Sequence, residues 1–404
     1  MSKDAPKRLA VAVQGGGAHG AFSWGALDRL LEEVQDGKLE IVALSGTSAG
    51  GFNATLCAYA LGSTDGDRAS RAKEARRILK DYWLADADVA PFSAYSSTAT
   101  WWHKTFGSWN IDTTPAALMA SVNNQLWSPA FYAQYDWLAQ VLGDKIDFDK
   151  LRQQGDVPHL YIAATNITEG CRDIFTKSAV TLETLKASAS IPQLFLPAHF
   201  DNTYYWDGGF MGNPPLRPLI YHATDVAIIQ LNPFSRDKPP LTAMEINNRI
   251  NEVTFNSSMI LEINAIVAVN NVIKYLQEKS AKDSALKEAL KLLPVNPVNL
   301  YSITNEDYLR TLGYASKAVI VREFLEELHE EGRKAADKWL HSESYRSVSA
   351  TDLPVPRLPD AQHVDGIFPG DVLDRQLKNY IRGPKEIPPK TPQGDYSGMT
   401  VAAK

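Results

Sequence analysis

Apolar residues in the first half of the chain fall in short continuous runs that alternate with longer stretches of helical spacing. The runs at 8–13 and 39–44 are dominated by Val, Ile, Leu and Ala, the pattern of strands buried on both faces. Each passes through a glycine-containing turn into a segment whose apolar positions recur at i, i+3 and i+4, about 22–34 after the first and 51–61 after the second. Another helix is predicted over 68–84. Strand patterning returns at 160–164, with 174–175 as its hairpin partner, a small helix over 181–189, a strand ending at Asp207 and a last strand at 226–231. From 243 to about 279 the residues Ile246, Ile250, Val253, Ile260, Ile263, Val267 and Ile273 follow the helical recurrence, and a second helical stretch runs over about 305–339. After about His341, Pro, Ser, Gly and charged residues dominate, as in a mostly disordered tail. Strands alternating with helices predict a three-layer α/β/α domain around a central, mostly parallel sheet. The expected organisation is this domain over 1–240, a helical extension over 241–341 packed on it, and the tail over 342–404.

Composition narrows the class. The chain has 404 residues, 44% of them hydrophobic, enough for a substantial core. No apolar run approaches the roughly 18–20 residues of a spanning helix, and no secretory signal pattern opens the chain. Two cysteines, Cys57 and Cys171, build no disulfide framework, so a cytoplasmic protein, or one peripheral at the inner membrane surface, is expected. A net charge of −6 argues against nucleic acid as a partner. Nothing specifies an oligomeric state.

Three stretches carry candidate chemistry. Gly46-Thr47-Ser48-Ala49-Gly50 has the form G-x-S-x-G at a strand-to-helix turn, where a serine hydroxyl is pushed outward beside a helix N-terminus; a plain glycine-rich turn is the other reading. Gly15-Gly16-Gly17-Ala18-His19-Gly20 satisfies G-x-G-x-x-G in strand–loop–helix context. The second strand, however, delivers Ser45-Gly46-Thr47-Ser48 where a dinucleotide site places an acid, which favours a row of unhindered N–H groups for an oxyanion. Asp207-Gly208-Gly209 ends a strand in a carboxylate, although Asp-Gly is equally a hairpin turn. Two further features stay open. The helix at 68–84 carries Arg68, Arg71, Lys73, Arg76, Arg77 and Lys80, either solvated or facing lipid headgroups or phosphate. The excursion over 89–141 holds Trp101, Trp102, Phe106, Trp109, Trp127, Phe131, Tyr132, Tyr135 and Trp137, either an acyl-chain groove or lid, or ordinary packing.

The blocks Gly15–Gly20, Gly46–Gly50, Ala187-Ser188-Ala189-Ser190-Ile191-Pro192 and Asp207-Gly208-Gly209, in that order, resemble the patatin-like phospholipase family over about 8–231. Phe210-Met211-Gly212-Asn213-Pro214-Pro215 and the segment 248–256 resemble a bacterial branch with a helical C-terminal extension, to about Trp339. The resemblance implies a Ser-Asp dyad with Ser48 as nucleophile and Asp207 as base, an oxyanion hole from Gly15, Gly16 and Gly17, and Gly46, Gly50, Gly208 and Gly209 supporting the elbow and the acid loop. It implies no metal and no organic cofactor, a lipid substrate of phospholipid or lysophospholipid type, and transient contact with a membrane surface. Other acyl esters (neutral lipids, polyesters, small esters) are the alternative substrates. An α/β-hydrolase triad would need one of His222, His329, His341 or His363, none of which sits in a motif. A non-catalytic nucleotide- or lipid-binding protein using the Gly15–Gly20 loop is the reading from another class.

Overall fold

The computed structural model describes residues 5–89, 93–117, 142, 145–155, 158–192, 194–280, 290 and 296–342. Its strands are β1 (Lys7–Val13), β2 (Leu39–Gly46), β3 (His159–Asn166), β4 (Cys171–Thr176), β5 (Ala198–Phe200), β6 (Thr203–Asp207), β7 (Asp225–Ile229) and β8 (Asn299–Ile303). Together they form one sheet in the order β5-β6-β3-β2-β1-β7-β8, with β4 paired to β3. The β3–β2, β2–β1, β1–β7 and β7–β8 pairs are parallel, while β4, β5 and β6 pair antiparallel.

The alternation within β1 explains the layers. Leu9, Val11 and Val13 point into a large core with α1 (Gly20–Gln35), α2 (Ala49–Leu61) and α3 (Arg68–Val89). Ala10 and Ala12 point the other way, into a second core with Val226, Ile228, Met259, Ile263 and Ile266. Successive side chains of a strand face opposite sides, so a central strand must be apolar at every position to fill both. The remaining helices are α4 (Ser93–Phe106), α5 (Phe148–Gln153), α6 (Leu182–Ala189), α7 (Ala243–Ser280), α8 (Glu306–Leu309) and α9 (Arg322–Leu340).

The C-terminal segment differs from the helices-only expectation. Five of its residues, Asn299–Ile303, add β8 to the sheet beside β7. A strand this short has no strong local period, and its partner lies some seventy residues upstream. The stretch read as one second helix is broken by α8 and by a 3-10 turn at Ala315–Ala318 before α9 begins. Helix α4 likewise falls in the stretch read as irregular. Trp127, Phe131, Tyr132, Tyr135 and Trp137, and the tail from 343, lie outside the described residues.

Helix α9 packs on α1 with the two backbones in contact. A Cβ on Gly25 would overlap the carbonyl oxygen of His329, and one on Gly332 would overlap that of Phe22. Beside the crossing, Arg76 of the basic helix reaches Asp28 at 2.7 Å and Glu32 at 2.9 Å, and Arg333 binds the same two carboxylates. Burial pushes Asp28 upward, but hydrogen bonds from His329 and Arg76 and the charges of Arg76 and Arg333 outweigh it and hold the carboxyl well below its usual range. Arg68 and Arg77 also pair within the chain, with Glu40 and with Glu74 and Asp81. Much of the basic face is therefore spent on intramolecular pairs. Gly25→Val is expected to cost about 3 kcal/mol and to lower Tm by about 10 °C in thermal unfolding. Gly155→Ala, where an added Cβ meets nothing within 4 Å, is the control that leaves Tm unchanged.

Helix α7 corrects the expectation about apolar length. It is the one helix among the described residues long and apolar enough to cross a membrane, with 35% of that window buried. Two of its carboxylates point inward: Glu252 pairs with Arg236 and Arg249, and Glu262 with Arg172 and the N–H groups of Leu216 and Arg217. Ile250, Val253, Leu261 and Val272 face outward. Inward carboxylates are satisfied only by these protein partners, which places α7 as a layer of the globular body.

Candidate functional site

Because β1 and β2 are parallel and Val13 pairs with Gly46, the loops that leave them emerge side by side at the carboxyl end of the sheet. The glycine loop and the elbow are in contact there. A Cβ on Gly15 would lie 2.9 Å from Ser48 Cβ and closer still to the Thr47 carbonyl, so only glycine fits. Gly50 packs on the Val13 and Gln14 carbonyls, and Gly46 on the Gly50 carbonyl.

Ser48 has φ 53° and ψ −130°, a backbone conformation that costs a non-glycine residue about 1–3 kcal/mol. Two bonds hold it. The Phe52 N–H donates to the Ser48 carbonyl at 3.1 Å, starting α2, and the Ser48 N–H donates to Ser188 Oγ at 2.9 Å. Ser188 lies in the last turn of α6, inside a block the sequence singles out without giving this serine a role.

Asp207 reaches the elbow through β3. Strand β4 occupies one edge of β3 over Tyr161–Asn166, so β2, paired over His159–Ile162, and β6, paired over Ala164–Asn166, must share the other edge. Gly46 sits opposite Ile162 and Asp207 opposite Ala164. The last residue of β6 is thereby set just beyond the last residue of β2. Gly208 packs on the Ala163 carbonyl and on Thr47, whose hydroxyl donates to the Gly212 carbonyl at 2.5 Å.

The Asp207 carboxyl is fully buried. Oδ1 accepts the Gly209 N–H at 2.7 Å, while Oδ2 has no partner within full hydrogen-bond geometry. Burial pushes the group up to about 7; the Gly209 N–H, the nearby Ser48 hydroxyl and the Lys317 ammonium pull the other way. A carboxyl with this affinity can exchange a proton at neutral pH.

The glycine loop is held by amide side chains. Gln14 accepts the N–H groups of Leu231 and Asn232 and donates to Asn256 Oδ1 at 2.8 Å. Asn213 takes the Gly15 N–H on its Oδ1 at 2.7 Å and donates to the Gly15 carbonyl at 3.3 Å. The Gly15 N–H, expected to face an oxyanion, is thus already committed, whereas the Gly16 and Gly17 N–H groups have no acceptor among the described residues. Asn213→Ala would leave both polar groups of Gly15 buried without these partners. A loss of about 1–3 kcal/mol is expected, read as a lower denaturant midpoint.

The histidines do not assemble a triad. His222 lies against Tyr161 Oη at 2.7 Å and stacks on His159, which begins β3 at the end of the sheet away from Ser48. His329 and His341 pair with Asp28 and Asp337. His363 lies outside the described residues. Of the aromatic residues described in the excursion, Trp101 and Phe106 are exposed and touch Trp102, while Trp109 is buried and donates to Glu327.

An uncharacterized protein of Acanthamoeba polyphaga mimivirus is 24% identical over 226 residues, 54% of this chain and 65% of that protein. The chain thus spans a little under two thirds of the length of this curated relative. Among solved structures, full-length ExoU in complex with full-length SpcU, from the type III secretion system of Pseudomonas aeruginosa, aligns at 15% identity over 83% of this chain and 53% of that one, with a TM-score of 0.28. The family model described as patatin-like phospholipase matches residues 11–220, a span that holds the glycine loop, the elbow and Asp207. That match extends over more than half of the 404 residues, and the chain belongs to the patatin-like phospholipase family.

Proposed function

We propose that the protein is a serine hydrolase of lipid acyl esters, of phospholipase A or lysophospholipase type, working through Ser48 and Asp207. The observation that carries this reading is a strained, nearly buried serine beside a buried carboxyl poised at about 7, with a glycine loop in contact. Ser48 Oγ attacks the ester carbonyl carbon as its proton passes to Asp207. The C–O bond to the alcohol then breaks, and Asp207 returns the proton to the departing oxygen. Water attacks the acyl-serine by the same exchange, releasing the fatty acid and restoring Ser48. For the oxyanion we assign the N–H groups of Gly16 and Gly17, with that of Ala49 in the first turn of α2, where helix N–H groups have no intrahelical partner.

Lipid as the substrate class draws support from the family and from the exposed apolar side chains Ile250, Val253, Leu261 and Val272 of α7, which suit transient contact with a lipid surface. The test has two parts. A fluorophosphonate should label the wild-type chain and not Ser48→Ala; equal labelling of both would refute the serine assignment. A panel of phospholipid, lysophospholipid, triacylglycerol, polyester and short aryl esters should then show the highest kcat/KM on a phospholipid or lysophospholipid. Preference for a short aryl ester or a polyester would overturn the substrate class and leave the mechanism intact.

A further inference from the structure

The dyad and its glycine loop lie within the family match, but one charged group beside them comes from well beyond it. The 3-10 turn Ala315–Ala318 packs against the loop. Ser316 Oγ donates its single proton to the Gly313 carbonyl at 2.7 Å, so at its 2.8 Å contact with His19 it accepts the proton of Nε2. His19 is accordingly a neutral loop anchor; burial, and secondarily the charge of Lys317, hold it well below its usual range.

Lys317 touches the site in two ways. Its carbonyl oxygen lies against Gly17, which has φ 59° and where any Cβ would overlap it. Its Nζ donates to Asn232 Oδ1 at 2.7 Å and to Asn251 Oδ1 at 2.5 Å, and lies 5.7 Å from the centroid of Phe255. The Phe255 ring in turn packs on Gly209, whose N–H holds Asp207. An ammonium in this position has neutral acceptors only, so its field is not cancelled at contact.

We propose that Lys317 is a positioning residue of the hydrolytic site, whose buried ammonium favours the carboxylate form of Asp207 while its backbone seats Gly17. The inference rests on the reading of Ser48 and Asp207 as the reacting pair. Among the described residues, the charge acting on Asp207 is that of Lys317. The titratable groups that face Lys317 are Asp207 itself, Glu252 of α7, Asp112 after α4, and His19, which is neutral. Glu252 is matched by Arg236 and Arg249, and Asp112 accepts the N–H groups of Tyr314 and Ala315, so each has partners of its own besides the ammonium. Burial lowers Lys317 to about 8, which keeps it charged over the range in which Asp207 gives up its proton. A cation near an acid lowers its proton affinity by about 1–3 units. Without it, the base would be protonated through neutral pH.

The experiment is the pH dependence of the second-order rate of fluorophosphonate labelling at Ser48 in the full chain. Lys317→Gln, which keeps a donor for Asn232 and Asn251 but no charge, should move the acid limb up by about one pH unit. Labelling then falls about tenfold at pH 6 and returns to the wild-type rate above about pH 9. Lys317→Arg keeps the charge and should leave the limb in place. Asn251→Asp, which sets a carboxylate beside Nζ, should move it upward as Lys317→Gln does, and it serves if the Gln variant does not fold. A limb unmoved in both Lys317→Gln and Asn251→Asp, with labelling lowered equally at every pH, would mean that Lys317 only packs, and would overturn the inference. Full labelling of Asp207→Asn would instead overturn the dyad reading on which it rests.

Discussion

Ser48→Ala is expected to lower kcat for ester hydrolysis by at least about 10⁴-fold, because it removes the attacking oxygen that no neighbouring group replaces. Loss of a nucleophile is grossly larger than loss of a contact, since every later step needs the acyl-serine. The stability of the variant should hardly change. Alanine meets the same positive φ as serine, so the strain at 53° persists, and the backbone bonds to Phe52 and Ser188 do not involve the hydroxyl. The measurement is kcat on a hydrolysed ester together with Tm: activity lost at an unchanged Tm supports the role. Retention of even a tenth of the activity would be incompatible with it.

Asp207→Asn is expected to reduce kcat by about 10²–10⁴-fold and, above neutral pH, to raise stability. The sign follows from burial. Burial pushes the carboxyl up to about 7 in the folded chain, against an ordinary aspartate value of 3.8 once unfolded. Between these values the unfolded chain gives up the proton and the folded chain keeps it, so stability falls as pH rises through the window. At about 1.36 kcal/mol per unit, the upper bound is on the order of 4 kcal/mol. An amide carries no such penalty. It does lose the charge-assisted bond from Gly209 and leaves Lys317 without its counter-charge, so a gain in Tm of a few degrees at pH 8, and none at pH 4, is expected. In the wild type, kcat/KM should climb tenfold per pH unit up to about pH 7 and then level. A variant that is less stable than wild type at pH 8 would show that Asp207 is a structural carboxylate.

Much of the fold is legible along the chain, for reasons that can be named. β1 and β2 are central strands, apolar on both faces, and their side chains carry that period whatever surrounds them. The elbow is legible because Ser48 needs glycine on both sides, at Gly46 and Gly50, to turn from β2 into α2 against the end of β1. β8 is not legible, since its five residues have no period of their own and exist as a strand only beside β7. α7 reads as a helix, but which of its faces is buried does not follow from its apolar residues, which surround it. The inward side is set by Glu252 and Glu262 and by the arginines that meet them.

What the sequence by itself determined is the set of reactive types and their local backbone: Ser48 on a strand-to-helix turn, glycines after β1, and Asp207 ending a strand. Those are short-range properties, written in residues a few positions apart. That Asp207 lies at Ser48 is a property of β3, whose single free edge takes both β2 and β6 once β4 has covered the other. The commitment of Gly15 to Asn213 and the approach of Lys317 to Gly17 are of the same kind. Each joins residues some two hundred or more positions apart, and such contacts exist only after the strand order has been chosen, because no local pattern encodes which edge or which loop a distant segment will meet.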